Sequence, residues 1–372
     1  MTRKNKPTIH FVDLTAQQKI IRSKIENRIK NVLNHGKYIM GPEVFELEEK
    51  LADYLGVKHC ITCSSGTDAL LMAKMSLGIE VGDEVILPSF TWVATAETIA
   101  LLGAVPVFVD INEKNFNIDI DQLESCITEK TKAIIPVSLF GQTPDMDRIN
   151  KIAQKHNISV IEDGAQSFGA SYKDKKSCSL TTIGCTSFFP AKPLGCYGDG
   201  GACFTDNDEL AEKMRWIRVH GQKRRGDIRL IGINGRLDTI QAAILLEKLA
   251  IFPEEIIKRQ QVAHMYQELL GDSVEKPYID EGNTSVYAQY AVKSSKRDEI
   301  KEKLREKNIP TAINYPKSIC EYPLYKEKGK FTYDMKISKK IARKVLCLPM
   351  HPYLGEKEVI EISRIIVKSV SL

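Results

Sequence analysis

The sequence has no apolar run approaching membrane-spanning length, no apolar stretch behind its basic start Met1 to Pro7, no block of like charge and no internal repeat. The missing apolar segments argue against a helical membrane protein and against a secretory leader, so the expected compartment is the cytoplasm. Lysine and arginine number 53 against 48 aspartates and glutamates, but the two signs alternate along the chain. Without a basic face, neither a nucleic acid nor a membrane is an expected partner. Cysteine is present, nine in all, yet what a zinc site needs is not: Cys60-Ile-Thr-Cys63 has no second close pair or spaced histidine pair, and Cys178, Cys185, Cys196 and Cys203 supply none. No metal is expected, and the thiols read as buried small apolar groups. Gly195, Gly198, Gly200 and Gly201 miss the G-x-G-x-x-G order, which excludes a dinucleotide-dependent dehydrogenase.

What is present is the pattern of an α/β enzyme. At 372 residues, 43% hydrophobic and 27% charged, the chain is larger than one core usually serves, so two domains are expected. Ala16 to Leu33 and Val44 to Leu55 carry helical periodicity, the second stopped by Gly56. Apolar runs mark strands at Glu84 to Leu87, Val105 to Val109, Ala133 to Val137 and Ile158 to Ile161. Helical segments fall between them at Asp68 to Leu77, Ala94 to Leu102 and Asp145 to His156. This alternation predicts crossover units and a largely parallel sheet, with ligands at the carboxyl ends of its strands. A helix around Leu237 to Leu249 followed by Phe252-Pro253 places a boundary, giving a large domain over 1–251 and a smaller α+β domain over 252–372.

Three loops concentrate the reactive groups. In Ser187-Phe-Phe-Pro-Ala-Lys192-Pro-Leu-Gly-Cys-Tyr-Gly-Asp-Gly-Gly201 a single lysine stands among aromatics, prolines and glycines. Such surroundings desolvate an amine and make it a nucleophile toward a carbonyl, although a lone lysine beside a proline is ordinarily a surface residue. Ser65, Gly66 and Thr67 open a helix, where free N–H groups and the positive end of the dipole hold a phosphate or merely cap the helix. Asp163, in Glu162-Asp-Gly-Ala-Gln166, follows a strand and could ligate a metal, act as a base or pair with a protonated pyridine nitrogen. Only the last role uses the other two loops, because pyridoxal 5′-phosphate requires a ring-nitrogen carboxylate, a phosphate cup and a lysine. Trp92 supplies an aromatic face for the ring.

The blocks Gly36 to Glu43, Ser65 to Leu70, Glu162 to Gln166, Ser187 to Lys192 and Gly232 to Asp238, in this order and over nearly the whole chain, resemble the DegT/DnrJ/EryC1/StrS sugar aminotransferases. The resemblance implies the fold type I, aspartate aminotransferase-like architecture, with a mostly parallel seven-stranded sheet in the large domain. It implies pyridoxal phosphate as cofactor, with Lys192 as covalent anchor and proton carrier and Asp163 on the ring nitrogen. Trp92 would stack on the ring, Gln166 would reach its phenolic oxygen, and Ser65, Gly66, Thr67 and Ser187 would hold the phosphate. Asn234 would reach the cofactor of a second subunit, which implies a homodimer with shared sites. Arg236, Tyr315 and Asn314 would meet the substrate. Asn314 departs from the histidine common before Tyr315-Pro316 in this family, and Cys320 also stands where a histidine is frequent.

The activity so implied transfers an amine from L-glutamate to a nucleotide-linked keto-sugar for surface-polysaccharide synthesis. The segments around Thr182 to Thr186 and Asp238 to Ala243 are similar to those of enzymes acting on UDP-2-acetamido-2-deoxy-3-oxo-glucuronate. UDP-3-oxo-N-acetylglucosamine and a dTDP-3-oxo-6-deoxyhexose are the alternatives. A dehydratase of the same fold would lack the lysine, and a regulator that kept the fold would have lost site residues. The basic loop His220 to Gly226, with Arg229, suits a diphosphate or simply faces water.

Overall fold

The structure, a computed structural model, describes residues 9–370. The first five strands are β1 (His59–Cys63), β2 (Glu84–Pro88), β3 (Val105–Val109), β4 (Thr131–Ile134) and β5 (Ser159–Asp163). Around them lie α1 (Leu14–His35), α2 (Pro42–Leu55), α3 (Gly66–Ser76) and α4 (Ala94–Ala100). Local chemistry sets the ends: Asp13 accepts a bond from the Ala16 N–H at 2.9 Å to open α1. Pro42 opens α2 with a φ already helical, and Gly56 ends it at φ +70°, a conformation that a side chain would oppose.

Eight strands form the main sheet, one more than the seven expected. Their spatial order is β1, Gly201–Thr205, Ile183–Ser187, β5, β4, β2, β3 and Lys330–Phe331. Gly201–Thr205 pairs antiparallel with both neighbours, and every other pairing is parallel. The eighth strand is only two exposed residues long, too short for a sequence pattern. Tertiary contacts hold it: Phe331 stacks on Phe108 of β3 at 5.4 Å, and Lys330 pairs with the buried Glu84.

The boundary expected at 251/252 falls inside one helix, Thr239–Leu270. Proline ordinarily breaks a helix by losing a donor and crowding the preceding turn, but here packing overrides Pro253. Phe252 is fully buried, 5.8 Å from Phe168 and 5.9 Å from Tyr54, and burial of one such ring stabilises by roughly 1.5–3 kcal/mol. The first half of this helix therefore packs beside the sheet through Ala242, Leu245 and Leu246. Its second half supplies Val262, Tyr266 and Leu270 to the core of the smaller unit. That core also takes in the antiparallel pair Tyr290–Lys293 and Val345–Leu348, and Ile9 from the other end of the chain. Lys330–Phe331 joins the large sheet, so each unit borrows chain from beyond the expected division.

Among the described residues no helix is long and apolar enough to cross a membrane. All nine cysteines are buried and unpaired.

Candidate active site

The site is assembled at the carboxyl ends of β1, β2 and β5 together with the loop after Ile183–Ser187. Asp163 ends β5 and is 5% exposed. Its Oδ2 accepts from the Thr95 hydroxyl at 2.8 Å and its Oδ1 from the Ala165 N–H at 3.2 Å. Two fixed donors orient this carboxylate and still leave lone pairs for a third partner. Facing it is Lys192, whose amine burial pushes down from the ordinary lysine value, the Asp163 charge opposing the shift. The tight turn Ser187 to Lys192 presents this lysine, closed by the Lys192 N–H to the Phe189 carbonyl at 2.9 Å.

Across the sheet end lies the start of α3. Ser65 caps it, its hydroxyl accepting from the Asp68 N–H at 3.0 Å, and Asp68 also pairs with the Ser64 hydroxyl. Gly66 comes so close to Ser187 that an added Cβ would sit 2.6 Å from the Ser187 Cβ. The absent side chain thus leaves a cradle in which Ser65, Gly66, Thr67 and Ser187 converge at a helix N-terminus, which suits a phosphate. Ligand-sized anions at such ends bind through backbone N–H groups, and Gly66 keeps that approach open.

Gln166, buried, accepts the Phe140 N–H at 2.8 Å through its carbonyl and donates to the Tyr315 hydroxyl at 3.0 Å. One amide N–H remains for a ligand. Burial pushes the Tyr315 phenol upward, so it stays protonated at neutral pH; the Gln166 bond acts in the opposite direction. Trp92 is 60% exposed, its ring 6.0 Å from that of Tyr315 at 35°. An indole left open beside Tyr315, one turn before the Thr95 that bonds Asp163, is available to cover a flat ligand.

Asn234 and Arg236 are placed differently. Their segment is held by bonds from Ile233 N–H to the Ile217 carbonyl (2.8 Å), Gly235 N–H to the Arg218 carbonyl (3.1 Å) and Ser64 N–H to the Gly235 carbonyl (3.0 Å). Arg218 is itself fixed by a buried pair with Glu48 and a 2.9 Å bond to the Thr62 carbonyl. The segment therefore abuts the phosphate cradle through Ser64, while the Asn234 side chain is exposed. Arg236 is half-buried, with its Nε lacking a partner among the described residues. Asn314 lies next to Tyr315 and is partly buried. The basic loop forms a small hairpin, Gln222–Arg224 against Asp227–Ile228, in which Asp227 pairs with Arg224 and Arg229.

The chain belongs to the DegT/DnrJ/EryC1/StrS aminotransferase family, whose model matches residues 19–367. It is 55% identical to the UDP-2-acetamido-2-deoxy-3-oxo-D-glucuronate aminotransferase of Pseudomonas aeruginosa, over 93% of this chain and 96% of that one. A family aminotransferase from Brucella abortus superposes with a TM-score of 0.94 at 44% identity, covering 96% of this chain and 98% of that one. DesV of S. venezuelae, solved in complex with a ketimine intermediate, does so with a TM-score of 0.96 at 32% identity, covering 99% and 100%. This aminotransferase is a fold type I enzyme with pyridoxal phosphate as its cofactor, acting on a sugar.

Residues missed in the sequence also serve the site. Thr95, one turn beyond Trp92, is the side-chain donor to Asp163; its signal was a hydroxyl on the helix that follows the aromatic. Lys74 of α3 is fully buried, its amine has no partner among the described residues, and its titratable neighbours are the thiols Cys185 and Cys203 and the carboxylate Asp163. Burial pushes its amine down to about 8. Nothing in the residues around Lys74 marks it as buried, since helical lysines ordinarily face water.

Proposed function

We propose that Lys192 is the covalent anchor and proton carrier of this aminotransferase, and that its sugar is a UDP-linked 3-oxo-N-acetylhexosaminuronate. The observation that carries the reading is the desolvated Lys192 amine facing Asp163 beside the Gly66–Ser187 cradle. Pyridoxal phosphate, when bound, supplies the electron sink that removal of a proton from a carbon beside nitrogen requires. Lys192, its amine pushed down by burial, would be the residue that holds the cofactor covalently at C4′ and carries the proton between that carbon and the substrate carbon. Asp163, oriented by Thr95 and Ala165, holds the proton on the ring nitrogen. Trp92 covers the ring, and the free Gln166 N–H bonds its phenolic oxygen. Ser65, Gly66, Thr67 and Ser187 bind the phosphate.

L-Glutamate donates the amine in a first half-reaction, and the keto-sugar accepts it in a second. The uronate reading draws on the relative named for that substrate and on half-buried Arg236, whose Nε has no partner among the described residues and suits a sugar carboxylate. Tyr315 and Asn314 line the sugar side. Asn234 reaches the phosphate of a second subunit's cofactor, so the enzyme works as a homodimer with shared sites. Exposed Tyr38, Ile39, Ile228 and Ile231, on segments flanking or paired with that of Asn234, are the apolar surface such a dimer would cover. The enzyme acts in the cytoplasm, feeding an amino sugar into a surface polysaccharide. The presence of every cofactor-side residue speaks against a regulator that has lost catalysis.

Lys192→Ala tests the reading: turnover and the visible absorbance of purified holoenzyme are both expected to vanish. A yellow, active variant would overturn it. Mass spectrometry of products from UDP- and dTDP-linked keto-sugars tests the substrate, and the uronate reading fails if a neutral sugar is aminated faster.

A further inference from the structure

We propose that Lys248 is a positioning residue for Lys192, holding the back of the Lys192 loop to the long helix Thr239–Leu270 through the Gly195 carbonyl. The inference rests on the reading of Lys192 given above. The loop closes on itself: the Phe188 N–H bonds the Gly200 carbonyl at 2.7 Å, and the Cys196 N–H bonds the Phe188 carbonyl at 2.8 Å. Lys192 sits at its tip, and nothing in those closures fixes the loop against the rest of the molecule.

The long helix does so from one face. Lys248 donates from Nζ to the Gly195 carbonyl at 2.5 Å and lies 4.5 Å from the centre of the Tyr197 ring. Two turns earlier on that face, Gln241 accepts the Tyr197 N–H at 2.9 Å and donates back to the Tyr197 carbonyl at 3.4 Å. Lys248 is 1% exposed, and an amine is expensive to bury where a leucine or methionine would fill the same space. Glu255, the carboxylate whose charge acts on it, is already engaged by Gln17 at 2.9 Å and Tyr353 at 2.5 Å. The polar work left to the amine is the bond to the loop.

Gly195 passes that hold on to Lys192. A Cβ there would lie 2.5 Å from the Phe189 carbonyl oxygen and 2.7 Å from that of Pro190, so the two limbs of the loop touch backbone to backbone. A shift of Gly195 displaces Phe189 and Pro190, three and two residues before Lys192. Lys192 must reach one carbon while bonded and two carbons in turn while moving a proton, so a loose loop penalises the chemical step more than binding. Misplacement by about 1 Å can lower a rate a hundredfold.

The test uses holoenzyme carrying Lys248→Met, which keeps the stem and removes the donor, beside Lys248→Gln, which restores a neutral donor. In K248M, kcat for the half-reaction with L-glutamate, followed as loss of the visible band, is expected to fall about ten- to a hundredfold with KM changed less than about twofold. K248Q should recover a large part of that loss. In the cofactor-free protein, hydrogen exchange at the Lys192 and Cys196 amides should accelerate in K248M while β5 amides hold their rates. A K248M enzyme with wild-type kcat, or one whose Tm alone falls, overturns the inference. If K248M does not fold, Gln241→Ala takes its place, with a smaller loss of kcat expected, and an unchanged kcat in the folded protein overturns the inference. Borohydride reduction and peptide mapping of wild-type enzyme separate the two readings. A modified lysine other than Lys192 overturns both, whereas label on Lys192 with an unaffected K248M removes only the role of Lys248.

Discussion

The floor of the site and its rim are built by opposite rules. On the floor, Asp163, Thr95, Ser65, Gly66 and Ser187 sit at strand ends or helix starts and Gln166 in the turn after β5, and each is fixed by a bond or close approach to another named group. On the rim, Trp92 and Asn234 are exposed, Arg236 has an Nε with no partner among the described residues, and Asn314 lies on an irregular segment. Under the proposed roles, chemistry that tolerates little displacement rests on tightly held groups, while Arg236 and Asn314, the rim groups proposed to meet the sugar, stand on loops.

The comparison breaks first at Asp163. Asp163→Asn keeps the shape and removes the charge, and is expected to lower kcat on the order of a hundred- to a thousandfold, with cofactor content measured by absorbance largely kept. An Asn variant within tenfold of wild type would mean that the floor does not carry the chemistry. At the rim, Asn234→Ala should leave the visible band of freshly loaded enzyme intact while raising the cofactor dissociation constant about tenfold, roughly one lost charge-assisted bond. Sedimentation must show a dimer for that effect to arise from a second subunit; a fully retentive or monomeric active variant counts against the shared site.

The smallest expected effect concerns stability. Lys74 has its folded-state amine pushed down to about 8 by burial, below the unfolded lysine value of 10.5. Between these two values the unfolded chain binds more protons, so stability rises with pH there, and below pH 8 the full penalty is present. Lys74→Met is therefore expected to raise Tm at pH 7, by a free energy of at most about 3 kcal/mol, with the gain shrinking toward pH 10. A destabilised variant at pH 7 would show instead that the Lys74 charge supports Asp163.

Much of the sheet was legible because β2 and β3 are mainly apolar and buried on both faces, and β4 and β5 carry the apolar pairs Ala133-Ile134 and Val160-Ile161. β1, Ile183–Ser187 and Gly201–Thr205 were not read as strands, since cysteine, threonine and glycine make up much of them. Their small side chains have a tertiary reason: Cys185 and Cys203 both donate to the Ala69 carbonyl, at 3.5 and 3.3 Å, where α3 lies close over the sheet. Pro253 misled because local propensity says break, and the Phe168–Phe252 contact says continue.

Sequence alone determined the class of chemistry, because a desolvated lysine, a strand-end carboxylate and a helix-start phosphate loop are each local arrangements whose residue types limit what they can do. Only the tertiary structure decided how those pieces bear on one another. It supplied Thr95 for Asp163, closed Gly66 on Ser187, docked the Lys192 loop on Lys248 and Gln241, and drew Lys330–Phe331 onto the sheet. These contacts join residues far apart in the chain, and no spacing in the sequence records a distance across a fold.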